Sequence, residues 1–323
     1  MTTTLRFTAL DPLHCRFAVS PLWEALAAVR ALREDRGRHA PWLAGLDVPA
    51  LRETFSLLLL LQPQHGYVPD FLTPPPRTAS TTVDAELERV KATPTPVVQR
   101  ELGVSLAQQD GPEIQELLAD PAAARDRLAG LQELAWQLLV EPYWVRLSRL
   151  LQDDVAHHAA QLAREGLARV LVSLHRDISW RGDELVLERL PDEQRELGGK
   201  GLVLVPSAFS WPQACVLTDP AYSPMLVYPC RGVAALWAQS APAPDALARL
   251  LGRGRAAVLS ALVDPASTTQ LSTALQLSPS TVSEHLTALR EAGLLHHRRS
   301  GHHVRYSRTP LGDALAESAG CGA

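Results

Sequence analysis

Apolar residues recur at helical spacing through most of the first 175 positions. Ser20-Pro21 opens the first such pattern, with Ser20 placed to cap and Pro21 at the first helical position; Leu22, Leu26, Val29 and Leu32 follow three and four apart. A second apolar helix is predicted from about Val48 to Leu61, and Pro74-Pro75-Pro76 with the Thr/Ser residues behind it reads as a loop. Helical patterns resume near 83–92 and 96–109. The stretch 121–175 is almost all helix-forming, except where Pro142 must end or kink a helix. From about Glu184 the pattern changes to short β-prone runs at 185–187, 202–205, 216–217 and 225–228, separated by Gly, Pro and Asp. They predict a small sheet appended to a helical body. Ala241-Pro242-Ala243-Pro244 marks a boundary, and helices return after it. The expectation is a helix-rich domain over 1–240 and a second domain over 245–318.

The second domain carries the most specific pattern. Ser267 followed three residues on by Gln270 is a capping-box start, and Leu271, Ala274 and Leu275 supply the buried face of a short helix. Ser278-Pro279 then caps a second helix only a few residues later. On it, Val282, Leu286 and Leu289 form one apolar stripe, while Ser280, Thr281, Ser283, Glu284 and Thr287 make a small, polar opposite face. Gly293 suits the left-handed position that ends such a helix. Two β-prone arms, 294–299 and 302–308, meet at Ser300-Gly301 as a hairpin, with Val304 and Tyr306 on one face and His303 and Arg305 on the other. Arg298, Arg299, His302 and His303 cluster at its tip. Two short helices, a tight turn and a basic hairpin predict a winged helix-turn-helix. The predicted class is therefore mainly α with a small β component (α+β), a large helix-rich N-terminal domain preceding the C-terminal winged helix.

Charge sharpens this picture. The 323 residues carry 31 basic and 35 acidic side chains, a net charge of −4, which discourages nucleic-acid binding along the whole chain. After residue 250, however, seven arginines face five acids, so that segment is net positive and the rest more negative than the total implies. Five of the eleven histidines also lie within 285–308. Positive charge concentrated in one module is what a polyanion partner requires.

The run from Leu277 to Leu295, with Arg298-Arg299-Ser300-Gly301-His302-His303-Val304-Arg305-Tyr306 and Thr309-Pro310-Leu311-Gly312, resembles the winged helix of ArsR-type bacterial transcriptional regulators. The likeness covers about residues 250–313. It implies a homodimeric repressor on a pseudo-palindromic operator of double-stranded DNA. Base contacts would come from Ser280, Thr281, Ser283, Glu284 and His285, and backbone contacts from Arg298, Arg299 and Arg305. Segments 200–207 and 226–237 are similar to the long N-terminal extension of some larger members, which brings no known catalytic residues. Metal-sensing members place Cys-x-Cys near the first helix of the motif; here Leu271–Leu275 has no thiol, so soft-metal sensing through that site is rejected. Few residues follow Pro310, so dimerisation is expected to lean on the upstream domain or on the helix near 247–262.

Several features have a plainer reading beside the functional one. Glu284 either accepts from a cytosine amine or is simply solvated, and His285, at the flank of the polar face, suits phosphate better than bases. His296, His297, His302 and His303 lack acidic or thiol partners, and His157-His158 and His14-Cys15 lack a third ligand; none is read as a metal site. Trp180, Trp211, Tyr222, Tyr228 and Trp237 bracket the β segment and either line an effector pocket or, by default, pack the core. The four cysteines form no CxxC, although Cys215 and Cys230 would approach if their segments paired. Gly198-Gly199-Lys200-Gly201 lacks P-loop spacing, and no GxSxG or HExxH occurs. No enzyme activity, cofactor or membrane association is expected. The start of the chain shows no signal peptide, which predicts a cytoplasmic protein. The leading expectation is a DNA-binding regulator with a small-molecule effector left open; the alternative is a winged helix used for protein docking.

Overall fold

The first seventeen residues contain two strands, Thr2–Arg6 (β1) and Arg16–Phe17 (β2). The computed structural model describes residues 2–33, 39–63, 66–210, 214–237, 245–262, 265–275, 277–300 and 303–318. The chain divides into two compact units, Met1–Trp237 and Ala238–Ala323.

In the first unit, Pro21–Ala31 (α1) starts as its sequence predicts: the Ser20 hydroxyl accepts from the Trp23 N–H at 3.0 Å, with Pro21 at the first position. Leu22, Ala25, Leu26, Ala28 and Val29 are all buried, so α1 is enclosed rather than amphipathic. The apolar run expected as one helix is two, Val48–Thr54 (α2) and Ser56–Leu60 (α3), because the backbone bends at the fully buried Phe55. Val83–Lys91 (α4), Thr95–Leu106 (α5), Pro112–Ala119 (α6) and Pro121–Ala135 (α7) follow. A π turn at Trp136–Val140 and a 3-10 turn at Glu141–Tyr143 absorb the break that Pro142 imposes. Trp144–Glu165 (α8) and Leu167–Leu174 (α9) follow. α4 and α7 pack on α1, and the buried Glu86 carboxylate of α4 accepts from the Leu22 N–H at 2.9 Å, satisfying an otherwise unpaired donor at the start of α1.

The strands Ile178–Arg181 (β3), Glu184–Glu188 (β4), Glu193–Glu196 (β5), Val203–Ser207 (β6), Cys215–Leu217 (β7) and Met225–Pro229 (β8) join the first two in a pair of four-stranded sheets. This corrects the single small sheet expected. One sheet has the order β3-β4-β1-β5, with β1 antiparallel to β4 and parallel to β5. The other has the order β2-β6-β8-β7, with β2, β6 and β8 parallel. β6 is buried at every position, as strands covered on both faces are, and this accounts for its unbroken apolar run.

The second unit contains Asp245–Leu251 (α10), Arg253–Ala261 (α11), Thr268–Leu275 (α12), Pro279–Glu291 (α13), the hairpin Leu295–Ser300 (β9) and His303–Arg308 (β10), and Pro310–Ser318 (α14). Its core is its own, built from Leu247, Val258, Leu259, Leu271, Val282 and Leu286 with neighbours. Helix (56%) outweighs strand (15%), and helices with a β-hairpin wing close the chain, so the mainly-α, α+β class holds. Among the described residues no helix is long and apolar enough to cross a membrane.

Candidate nucleic-acid interface

Local chemistry sets each joint of the helix-turn-helix. At the start of α12 the Ser267 N–H donates to Gln270 Oε1 at 2.9 Å and the Gln270 N–H donates to Ser267 Oγ at 3.3 Å, a complete capping box. Ser272 then closes the turn: its hydroxyl donates to the Leu277 carbonyl at 2.6 Å, and its own carbonyl accepts from the Leu277 N–H at 3.2 Å. Ser278 caps α13 through the Thr281 N–H at 3.2 Å, and its oxygen lies 2.8 Å from the hydroxyls of both Ser280 and Thr281. α13 ends in a Schellman motif, in which Gly293 at φ 72° lets the Leu294 N–H reach the Leu289 carbonyl at 2.9 Å.

The two faces of α13 separate as the spacing requires. Val282, Leu286 and Leu289 are buried, whereas Ser280, Ser283 and Glu284 are exposed. Thr281, His285 and Thr287 are half-buried along the flanks. Small hydroxyls on the exposed face let a helix approach base edges closely, and Glu284 has no ion-pair partner among the described residues. The His285 ring is held by packing, because it lies over Gly254 of α11. A Cβ at Gly254 would stand 2.4 Å from His285 Nε2, so only glycine leaves room for the ring.

The hairpin sorts its basic residues by face. β9 and β10 pair antiparallel with Arg298 opposite Arg305, Arg299 opposite Val304 and His297 opposite Tyr306. Tyr306 packs on the core of the unit and exchanges two backbone hydrogen bonds with Ala266 (2.9 and 3.0 Å), tying β10 to the segment before α12. Arg305 is exposed. Arg308, two residues beyond Tyr306 on the same face, instead donates from Nε and Nη2 to the carbonyls of Leu259 and Ser260 at 2.8 and 2.7 Å. It ties down the last turn of α11. The backbones of Arg298, Arg299 and His303 are described but their side chains are not, and His302 lies outside the described residues.

In the first unit, the bracketing aromatics mostly serve packing. Trp180 packs edge-on to Phe7 at 4.9 Å; the Tyr222 hydroxyl donates to Glu101 at 2.9 Å and that of the buried Tyr228 to Asp154 at 2.9 Å. Trp237 sits among His39, Trp42, Tyr143 and Phe209, and Trp211 lies outside the described residues. A cavity of about 690 Å³ exists in this unit, but none of these four lines it; Trp23 and Tyr67 do. Nothing in the local pattern near Trp23 or Tyr67 signals that role. Cys215 pairs in register with Val227, which puts Cys230 three residues on, just past the end of β8, roughly 10 Å away and beyond disulfide reach. Cys15 and Cys215 are free thiols, and burial pushes the Cys15 thiol up to about 11; Cys321 lies outside the described residues. His158 is buried against Phe17 and the Asp154 carboxylate, while His14 bonds the Gly199 carbonyl at 2.6 Å. Among the described residues no group of three or more His, Cys, Asp or Glu is placed to hold a metal.

Residues 254–297 match the model of the family described as bacterial regulatory protein, arsR family. The second unit carries an ArsR-family regulatory domain. The matched stretch runs from α11 through both helices of the motif into β9. An ArsR-family domain points to DNA-binding transcriptional regulation rather than catalysis. Residues 78–234, from just before α4 to just past β8, match a family of unknown function, DUF5937. No curated protein and no solved structure matches the chain.

Proposed function

We propose that this protein is a cytoplasmic, homodimeric, sequence-specific transcriptional repressor. In this reading residues 245–318 bind DNA, and residues 1–240 set dimer geometry and receive a small-molecule effector. Each α13 enters the major groove of one half-site, with Ser280, Thr281, Ser283, Glu284 and Thr287 toward base edges and His285 toward a flanking phosphate. Arg298, Arg299, Arg305, His302 and His303 clamp the backbone from the wing.

The observation that carries the reading is the wing register. Arg298 and Arg305 are direct cross-strand partners. Like charges in that position repel, and a phosphate between them removes the repulsion. For the dimer, Leu250 on α10 and Leu311 on α14 are 67% and 60% exposed, two large apolar side chains left open on this unit.

The test is fluorescence anisotropy of the full-length protein with DNA flanking its own gene. Arg298→Ala should weaken binding to every sequence and flatten its salt dependence by about 0.9 in slope for each phosphate it no longer neutralises. Ser280→Ala with Ser283→Ala should instead change sequence preference. A protein showing no salt-sensitive binding to any duplex would refute the reading in favour of protein docking.

A further inference from the structure

The cavity of about 690 Å³ in the first unit has the size of a site for a drug-like molecule. Its walls come from parts of the chain far apart in sequence: Trp23 and Leu26 of α1, Tyr67 and Asp70 of the loop before α4, and Met225 and Val227 of β8. Most of this lining is apolar or aromatic, so the polar groups decide what charge it accepts.

Those groups are unevenly spread. Asp70 Oδ2 accepts from the Tyr67 hydroxyl at 3.1 Å, and its Oδ1 has no partner among the described residues. Behind Asp70 stand Glu101 and Asp219, both engaged by Arg100 at 3.3 and 2.8 Å. Glu193 lines the same cavity and accepts from the Thr218 hydroxyl at 2.8 Å. The charges of Glu101, Asp219 and Glu193 therefore all act on Asp70, and Arg100 is committed to the first two. Burial, then the charge of Glu101, push the Asp70 carboxyl up to about 7, while Tyr67 and Tyr222 are pushed up and stay neutral. Of the arginines in the wall, Arg189 lies 3.7 Å from Asp177. Arg30 sits two turns along α1 from Trp23, roughly 10 Å away.

We propose that this cavity binds a lipophilic organic monocation, its charge on Asp70 and its body against Trp23, Tyr67 and the aliphatic wall. The charge on Asp70 has no cationic partner of its own among the described residues, and a ligand cation supplies one at a half-buried carboxylate. Trp23 and Tyr67 add ring faces that favour a cation over a neutral molecule of the same shape. An anion meets the Asp70 and Glu193 carboxyls in the wall, with the charges of Glu101 and Asp219 acting behind Asp70. A polyamine would bring a second positive charge toward Arg30, which restricts the class to one charge and an apolar body. The proposal rests on the regulatory reading above only in calling this ligand the effector.

Tetraphenylphosphonium and tetraphenylborate are matched in size and shape and opposite in charge, which isolates the sign preference. Calorimetric titration of the full-length protein without DNA should show the phosphonium binding at least tenfold more tightly. Its affinity should rise about tenfold from pH 6 to pH 8 as Asp70 ionises. Asp70→Asn keeps an acceptor for the Tyr67 hydroxyl, so the fold is retained; it should lower phosphonium affinity at least tenfold and flatten the pH profile. Equal or tighter binding of the borate, no binding of the phosphonium, or wild-type affinity and pH profile in Asp70→Asn would each overturn the proposal. Because no DNA is present, failure here leaves operator binding standing, and failure of operator binding leaves this result standing.

Discussion

Replacing Arg305 by Gln is expected to stabilise the free protein while weakening its complex with DNA. Arg305 is exposed on β10, directly opposite Arg298 on β9. Direct cross-strand partners hold their Cβ atoms about 5 Å apart. Were the two guanidinium charges as close as the Cβ atoms, they would repel in water by at most about 0.8 kcal/mol, a ceiling that physiological salt, with its Debye length of about 8 Å, cuts to about 0.4 kcal/mol. In a unit of this size that corresponds to about 2–3 °C in melting temperature. The same substitution frees one phosphate from neutralisation, so the slope of log affinity against log salt should flatten by about 0.9. Calorimetric melting of the free protein and anisotropy titrations between 50 and 200 mM salt (about this range is where the slope is measurable) read the two effects separately. Adding Arg298→Gln should give no second stabilisation, because the repulsion is already gone, but should flatten the salt slope again. A loss of stability with an unchanged slope would refute the reasoning, since Arg305 would then be a packing residue and not half of an anion clamp.

Other substitutions test the surrounding framework. Arg308→Ala should destabilise the second unit by about 1.5–3 kcal/mol, the worth of hydrogen bonds from a charged donor, because the Leu259 and Ser260 carbonyls lose their cap; the salt slope of DNA binding should not move. Gly254→Ala should cost about 1–3 kcal/mol by overpacking against His285, and thermal melts should show the cost vanish in the Gly254→Ala/His285→Ala pair. Glu24 and Glu86 are buried carboxyls that burial pushes up to about 7, above their unfolded values. The folded state therefore holds extra protons between the two, and stability is full at low pH and falls as pH rises through about 7. Urea midpoints should be lower at pH 8 than at pH 5 (both about the ends of that window), and Glu24→Gln should shrink the difference. Diamide treatment followed by peptide mass mapping should find no Cys215–Cys230 crosslink, given their register.

The parts of the molecule legible in advance are those whose partners lie close in sequence. Ser267 with Gln270, Ser278 with Thr281 and Leu294 with Leu289 are all within a few residues, so the whole helix-turn-helix follows from local rules. The sheets are different. β1 pairs with β4 and β5, and β2 with β6, across most of the first unit, and no periodicity in a five-residue or two-residue strand announces such a partner. The cavity is hidden for the same reason, since Trp23, Asp70 and Val227 meet only through the tertiary fold. Between these extremes stand the arginines of the wing. As a count they say only that the module is basic. Once the hairpin is granted, the two-residue repeat of a strand places Arg305 opposite in face to Tyr306, and Arg308 on the same face as Tyr306. With Tyr306 on the core, Arg308 finds its partners inside the unit, and Arg305 is left exposed. Two arginines of identical charge thus differ in role by position alone, and exchanging the effects of Arg305→Gln and Arg308→Ala would show that assignment to be wrong.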